Sequence, residues 1–210
     1  MTMPKGGIEL TNARRREIIN ACEELYKTMS FKEITMKEIA NATSFTRTSI
    51  YNYFQTKEEI FLALLEREYE LWADELTDIK DKNEALSKDE LADKIARSID
   101  NRIQLLKLMS MNHFDMEENS REERLLDFKA AYGRAIDAMK ACVSKFIPDR
   151  GEDALQQFVY AFFPFMFGIY PYVAVSDKQK AAMERADIGF VYMTAYEIVY
   201  NCIRKLLEVY

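Results

Sequence analysis

The sequence is poor in residues that interrupt helices and in residues that build covalent or metal-bound frameworks. Its 210 residues include only six glycines and four prolines, which predicts long uninterrupted elements rather than a loop-rich fold. The three cysteines, Cys22, Cys142 and Cys202, are odd in number and lie far apart among apolar residues. This pattern argues against a disulfide framework or a zinc site, and we predict reduced, buried thiols.

Sequence signatures of catalysis are missing as well. The chain has a single histidine, His113, and therefore neither an HExxH zinc motif nor a set of paired metal-binding histidines. No Gly-rich phosphate loop and no Glu-x-x-His pair occur in the sequence. Because an enzyme needs a nucleophile, a base or a metal cluster, we expect no enzymatic activity, no metal and no cofactor.

Export and membrane segments are also lacking. The first 16 residues contain no apolar core of a signal peptide. The most apolar run, residues 158–173, is too short and too interrupted by proline to span a bilayer. We therefore expect a cytoplasmic protein.

What the sequence does contain is an uneven charge distribution. The net charge is −6 over the whole chain, yet residues 1–57 carry nine basic and six acidic side chains, a net charge of +3. The remaining residues consequently carry −9. Such an asymmetry favours a protein of which only the N-terminal part meets a polyanion.

Apolar residues recur at spacings of three and four along most of the chain, which predicts an all-α fold. Pairs of a hydroxyl residue and Glu or Gln three positions later have the spacing of a capping box. These pairs predict helix starts at Thr35, Thr56, Ser87, Ser120 and Ser176. The longer helices are predicted over about residues 12–29, 57–80, 88–111, 152–171 and 186–208. A further helix, which includes Leu125, is predicted to end at Pro148.

The predicted helices divide into two domains. Residues 1–56 form a small N-terminal helix-turn-helix domain, and residues 57–210 form a larger helical domain. Two helices of the first domain, over about 36–42 and 46–54, are unusually short. Short helices are unstable alone in water and must be held by packing. The apolar residues available for that packing are Ile39, Ala40, Phe45, Ile50 and Phe54.

The opposite face of the second short helix is polar and fits a DNA groove. Arg47 is expected to read a base, because a guanidinium can donate two hydrogen bonds to guanine, and slim polar neighbours let the backbone approach. The tyrosine hydroxyls, the Lys57 ammonium and the N–H groups at the helix starts can reach phosphates. The predicted DNA-contacting residues are Thr35, Thr46, Arg47, Thr48, Tyr51, Asn52, Tyr53 and Lys57.

Residues 34–66, ITMKEIANATSFTRTSIYNYFQTKEEIFLALLE, resemble the DNA-binding region of the TetR family of transcriptional regulators. The similar features include the Ile-Ala pair at Ile39, the Tyr-x-Tyr-Phe of residues 51–54 and the Lys-Glu at Lys57. The resemblance implies that the DNA-binding core of the family covers residues 12–72. Ser44 and Thr48 stand where family members often have glycine. A positive φ at Ser44 would cost roughly 1 kcal/mol, whereas the Thr48 methyl suits contact with thymine.

The resemblance implies a homodimer that binds a palindromic operator and is released by a small-molecule effector. The larger domain would hold the effector pocket and the dimer interface, with the last helix as the main interface element. Bulky side chains on helices that surround the family's pocket favour an apolar or aromatic effector, or a lipophilic cation. The candidate effector contacts are Tyr69, Trp72, His113, Phe114, Phe128, Tyr132, Phe162, Phe165 and Met166.

An alternative function is a helical module that binds small molecules or proteins without reading DNA. This alternative leaves the basic N-terminal part and the polar face of the second short helix unexplained. By analogy with the family, a repressor is favoured over an activator.

Overall fold

A computed structural model describes residues 5–111, 113–148 and 151–209. Within these ranges the regular secondary structure is helical and contains no strand, which confirms the all-α prediction. No helix in these ranges has the length and apolar character needed to cross a bilayer. The helices are α1 (Lys5–Thr28), α2 (Met36–Asn41), α3 (Arg47–Ile50), α4 (Lys57–Lys82), α5 (Lys88–Asp100), α6 (Ile103–Met109), α7 (His113–Glu118), α8 (Glu122–Phe146), α9 (Glu152–Met166), α10 (Tyr170–Val173), α11 (Asp177–Arg185) and α12 (Ala195–Val209).

The chain divides into two compact units. The first unit comprises Met1–Arg67 and Asn112–Ala130, and the second comprises Glu68–Met111 and Ala131–Tyr210. The first unit therefore includes α7 and the start of α8 in addition to the N-terminal helices. The functional boundary at residue 56 stays a prediction, because compactness alone does not define which residues perform a function.

The first unit is built around the apolar face of α1. Ile18 and Cys22 are fully buried, as the spacing of the apolar residues predicts. The ring of Tyr26 packs edge-on against Phe61 of α4, with ring centroids 5.0 Å apart. Burial raises the pKa of the Cys22 thiol to about 12, so this thiol is neutral and unreactive at neutral pH.

The second unit is built around α5 and the indole of Trp72. The indole Nε1 donates to Ser98 Oγ at 3.1 Å, and that hydroxyl donates to the Ile95 carbonyl at 2.7 Å. These two hydrogen bonds satisfy the polar atoms of Trp72 and Ser98, which burial removes from water. Along α12 the residues that pack inward are Ala195, Val199, Ile203 and Leu207.

Most predicted helix starts are observed, with one exception. Ser87 and Ser176 form reciprocal capping boxes with Glu90 and Gln179. At Ser120 the prediction is wrong, because its hydroxyl donates back to the Met116 carbonyl at 2.7 Å and α8 begins at Glu122. An additional box, between Thr194 and Glu197, starts α12 and was not among the predicted starts.

Three predicted helix boundaries are wrong. The helix predicted over 88–111 is broken at Arg102, whose guanidinium donates to Glu75 Oε2 at 2.9 Å and to the Leu71 carbonyl at 3.1 Å. The apolar helix ends at Met166 rather than near residue 171. The last helix begins at Ala195, because Ala186 ends α11 instead of starting a helix.

Asp187 lies just after the end of α11. It has a φ of 52°, and its amide bonds to the Glu184 carbonyl while the next amide, of Ile188, bonds to the Met183 carbonyl at 3.0 Å. These two bonds form a Schellman ending, which places a left-handed residue just after the helix. Glycine adopts this conformation at lower cost than aspartate does.

We therefore expect Asp187→Gly to raise the free energy of unfolding by about 0.5–1 kcal/mol. The matched control is Asp177→Gly at the first position of the same helix, which should lower stability because an acidic side chain there favours the helix dipole. Urea unfolding followed by circular dichroism measures both changes. A loss of stability in Asp187→Gly would contradict the assigned helix ending.

Candidate nucleic-acid interface

Threonine caps start both short helices of the first unit. Thr35 Oγ1 accepts from the amides of Lys37 and Glu38 at 3.2 and 3.4 Å, and the side chains of Thr35 and Glu38 also bond each other. Thr46 Oγ1 accepts from the Ser49 amide at 3.2 Å. Two of the three predicted DNA-contacting threonines, Thr35 and Thr46, thus have a local structural role as helix caps.

Helix α3 has one buried face and one exposed face. Ile50, at its end, and Phe54, just beyond it, are fully buried, as is Ile39 of the preceding helix. This packing holds a helix of only four residues in place. It leaves one continuous exposed surface, which we call the α3 surface and which consists of Thr46, Arg47, Thr48, Tyr51 and Asn52.

Arg47 and Tyr51 pair along the α3 surface. Arg47 Nη2 and Nε donate to the Tyr51 hydroxyl at 3.1 and 3.3 Å. The guanidinium carbon lies 5.8 Å from the centre of the tyrosine ring. A guanidinium has five N–H donors, so this pairing orients Arg47 and leaves donors for a base or a phosphate.

Tyr53 brings a residue of α1 to the edge of the α3 surface. Arg14 Nη1 donates to the Tyr53 hydroxyl at 3.3 Å, and the Arg14 guanidinium lies 5.8 Å from the centre of the Phe45 ring. Arg14 was not among the predicted DNA contacts. The run of three arginines at residues 14–16 was the sequence signal that could have identified it.

Lys57 is placed differently from the prediction of a surface phosphate contact. Its ammonium donates to the carbonyls of Phe31 and Ile34 at 2.7 and 3.2 Å. The same nitrogen lies 3.9 Å from the centre of the Phe31 ring. Lys57 therefore fixes the loop between α1 and α2, and its contact with a phosphate stays a prediction.

The turn between the short helices is unstrained. Among the described residues other than glycine, only Asp187 has a positive φ, so the strain considered for Ser44 is absent. The Ser44 amide donates to Glu17 Oε1 at 2.7 Å. That backbone hydrogen bond lowers the pKa of the Glu17 carboxyl below its usual value, and it ties the turn to α1.

The nine predicted effector contacts are distributed over both compact units. Six of them, Tyr69, Trp72, Tyr132, Phe162, Phe165 and Met166, belong to the second unit. His113, Phe114 and Phe128 belong to the first unit, where the rings of His113 and Phe128 lie 6.4 Å apart. Phe114 is 80% exposed, and its role as an effector contact stays a prediction.

An apolar groove of about 500 Å³ lies in the second unit. None of the ten residues that line it in the described part of the chain carries a charge, so no carboxylate of the lining pairs with a cationic effector. Phe165 is the only predicted contact on the groove. The missed lining residues include Ile188, Phe190 and Met193, which belong to a segment that was predicted to be helical.

Models of protein families match most of the chain. The model described as "Bacterial regulatory proteins, tetR family" matches residues 18–64, and the model described as "Tetracyclin repressor-like, C-terminal domain" matches residues 66–198. A helix-turn-helix unit joined to such a domain defines a DNA-binding transcriptional regulator. The chain belongs to the TetR family, as its resemblance indicated. Regulators of this family are non-enzymatic, which confirms the prediction that the chain is not an enzyme.

Individual relatives agree with this assignment. The uncharacterized HTH-type transcriptional regulator YfiR of Bacillus subtilis (strain 168) is 33% identical over 63 residues, which cover 30% of this chain and 31% of YfiR. A regulator assigned to the TetR family from Mesorhizobium loti MAFF303099 has a similar fold, with a TM-score of 0.63, 15% identity and 95% of each chain covered. FadR from Bacillus subtilis, solved with stearoyl-CoA, has a TM-score of 0.57 and 14% identity, over 91% of this chain and 96% of FadR.

The position of Lys57 leads to a stability prediction. We expect Lys57→Met to lower the free energy of unfolding by about 1.5–3 kcal/mol, because two carbonyls lose a charged hydrogen-bond donor. Lys37→Met, which changes an exposed lysine of α2, is the control and should have little effect. Chemical denaturation measures both variants, and equal stability of the two would contradict a structural role for Lys57.

Proposed function

We propose that the protein is a homodimeric repressor that binds a palindromic operator through the α3 surface and is released by a small apolar effector. The observation that carries the proposal is the division of α3 into a buried apolar face and an exposed face bearing Arg47. The protein would act in the cytoplasm, where its operator is accessible.

The α3 surface has the chemistry that base reading requires. Arg47 can donate two hydrogen bonds to guanine, and the Thr48 methyl can contact thymine. Arg14 and Tyr53 lie at the edge of the surface, where a phosphate backbone would pass. The basic N-terminal part supports the same role, because phosphate contacts supply much of the affinity for DNA.

The small size of one reading surface supports a homodimer. A single short helix covers too few base pairs for useful specificity, whereas a two-fold dimer reads half-sites about 34–36 Å apart. Exposed apolar side chains of the second unit are available for an interface. They include Tyr160 of α9 and Val209 of α12, at 69% and 75% exposed. The inward-facing Ala195 and Val199 of α12 are already used within the chain.

The apolar groove is the best candidate for the effector site. Its volume lies in the range of about 300–1,000 Å³ that is typical of small-molecule sites. Its uncharged lining favours a hydrocarbon chain or an aromatic ring. The solved FadR, whose fold is similar, was bound to stearoyl-CoA, which supports an acyl chain as the first effector to test.

The test of DNA binding begins with selection of genomic fragments by the purified protein at physiological salt. A recovered palindrome is then synthesised and used for affinity measurements. We expect Arg47→Ala with Tyr51→Ala to weaken binding by about 5- to 150-fold or more, since the base contact of Arg47 alone contributes about 1–3 kcal/mol.

The matched control is Arg97→Ala, which changes an exposed arginine of the second unit. This variant should bind the operator like the wild type. Affinity of the wild type should fall steeply with salt concentration. Unchanged affinity of the double variant would contradict DNA reading by the α3 surface. A monomer in sedimentation at micromolar concentration would contradict the homodimer.

The effector site is tested with an uncharged fluorophore, 1-N-phenylnaphthylamine, and with stearoyl-CoA as competitor. Ile188 lines the groove and is 57% exposed, so Ile188→Glu adds a charge without disturbing the core. We expect it to weaken fluorophore binding at least 10-fold, because an apolar site does not compensate a charge.

Leu71→Glu is the matched control, since Leu71 is 44% exposed and does not line the groove. It should bind the fluorophore like the wild type. Stearoyl-CoA should displace the fluorophore and release operator DNA from the wild type. Equal fluorophore affinity of Ile188→Glu and the wild type would contradict the groove as the effector site.

A further inference from the structure

The first unit contains a buried carboxylate that the proposed DNA contacts do not use. Glu59 lies in the first turn of α4 and is 0% exposed. A buried charge is costly unless it is paired and hydrogen-bonded. The groups that stabilise it come from the loop after α3 and from a distant segment at the start of α8.

Four N–H groups surround the Glu59 carboxylate. Oε1 accepts from the Arg121 backbone amide at 3.1 Å and from Arg121 Nε at 2.6 Å. Oε2 accepts from Arg121 Nη2 at 2.8 Å and from the Gln55 amide at 2.8 Å. Burial raises the pKa of Glu59, but the hydrogen bonds from Arg121 and Gln55 outweigh that effect and hold the pKa below its usual value.

The same segment makes two further bonds to the loop. Arg121 Nη2 donates to the Tyr53 carbonyl at 3.3 Å. Thr56 Oγ1 donates to the Asn119 carbonyl at 2.9 Å and accepts from the Glu59 amide at 3.2 Å. All these bonds join residues of the first compact unit. We call this set of bonds the Glu59–Arg121 clamp.

The clamp holds the residues that directly continue α3. The amides of Tyr53 and Phe54 bond to the Ile50 carbonyl at 2.8 and 3.0 Å, so the backbone turn of α3 extends into the clamped loop. Helix α3 has only four residues and little stability of its own. A displacement of the Tyr53 carbonyl would therefore change the orientation of the α3 surface.

We propose that Arg121, a residue 62 positions after Glu59, is a positioning residue for operator binding. This proposal rests on the proposed DNA-binding function. Arg121 contacts no DNA itself and acts by fixing the loop after α3 through Glu59 and the Tyr53 carbonyl. The segment that includes α7 and the start of α8 is consequently part of the DNA-reading apparatus.

The test compares Arg121→Lys with the wild type on the recovered operator duplex. Lysine keeps the charge but loses the planar fork that bonds both carboxylate oxygens. We expect operator affinity at least 10-fold weaker, with the circular dichroism spectrum unchanged at the assay temperature. The slope of log affinity against log salt should stay unchanged, because no phosphate contact is lost.

Arg67→Lys is the matched control. The Arg67 guanidinium also donates two hydrogen bonds, to Asn20 Oδ1 at 2.6 Å and to Glu23 Oε2 at 2.7 Å. These partners belong to the same unit but not to the loop after α3. The control variant should retain wild-type affinity. Equal affinities of Arg121→Lys and Arg67→Lys would overturn the proposal. A slope reduced by about 1 in Arg121→Lys would also overturn it, since this change would indicate a direct phosphate contact.

A second variant, Thr56→Val, removes only the bond from the hydroxyl to Asn119 and the cap of α4. It should weaken operator binding and speed hydrogen exchange of the Gln55 and Glu59 amides. If Arg121→Lys unfolds, wild-type affinity in a folded Thr56→Val variant would overturn the proposal. The two proposals fail in different ways. A wild-type protein that selects no DNA contradicts the proposed DNA-binding function. The role of the clamp is tested only by comparing variants with a wild type that binds DNA.

Discussion

The burial of Ile50 and Phe54 against the helices of the first unit is the interaction on which the α3 surface depends. Ordering four residues costs about 4–8 kcal/mol in backbone entropy, and a threonine cap contributes only about 1 kcal/mol. Full burial of each apolar side chain contributes about 1.5–3 kcal/mol. The two apolar anchors, the cap and the bonds of the following loop are thus needed together to hold α3.

Four charged side chains of the first unit differ in what they bond. Lys57, Glu17 and Glu59 bond backbone atoms of loops, so their charges are used within the protein. In the contacts described above, Arg47 bonds only the exposed side chain of Tyr51, the residue just after α3. This division explains how a chain with a net charge of −6 can present a basic group at one surface while many of its other charges stabilise the fold.

Local sequence patterns predicted the fold and the α3 surface because both depend on neighbouring residues. The periodicity of Ile18 and Cys22 and the capping pair at Ser87 are read within a few positions. The break at Arg102 was missed because Ile99 and Ile103 continue the helical spacing across it, and the cause is a contact with Glu75 on another helix. The Arg121 contact with Glu59 joins residues 62 positions apart, so no local sequence pattern predicts this contact. The groove was missed because residues 188–193, which supply part of its lining, were predicted to belong to the last helix, whereas that helix begins at Ala195.

The separation of the two faces of α3 has a consequence for how this regulator can diverge. Thr46 and Ile50 carry the cap and the packing, whereas Arg47, Thr48 and Asn52 are exposed and contribute little to the core. Substitutions at exposed positions away from such features usually change stability by less than about 0.5 kcal/mol. Substitutions at these three positions could therefore change the chemistry of the α3 surface while the helices that hold it are inherited unchanged.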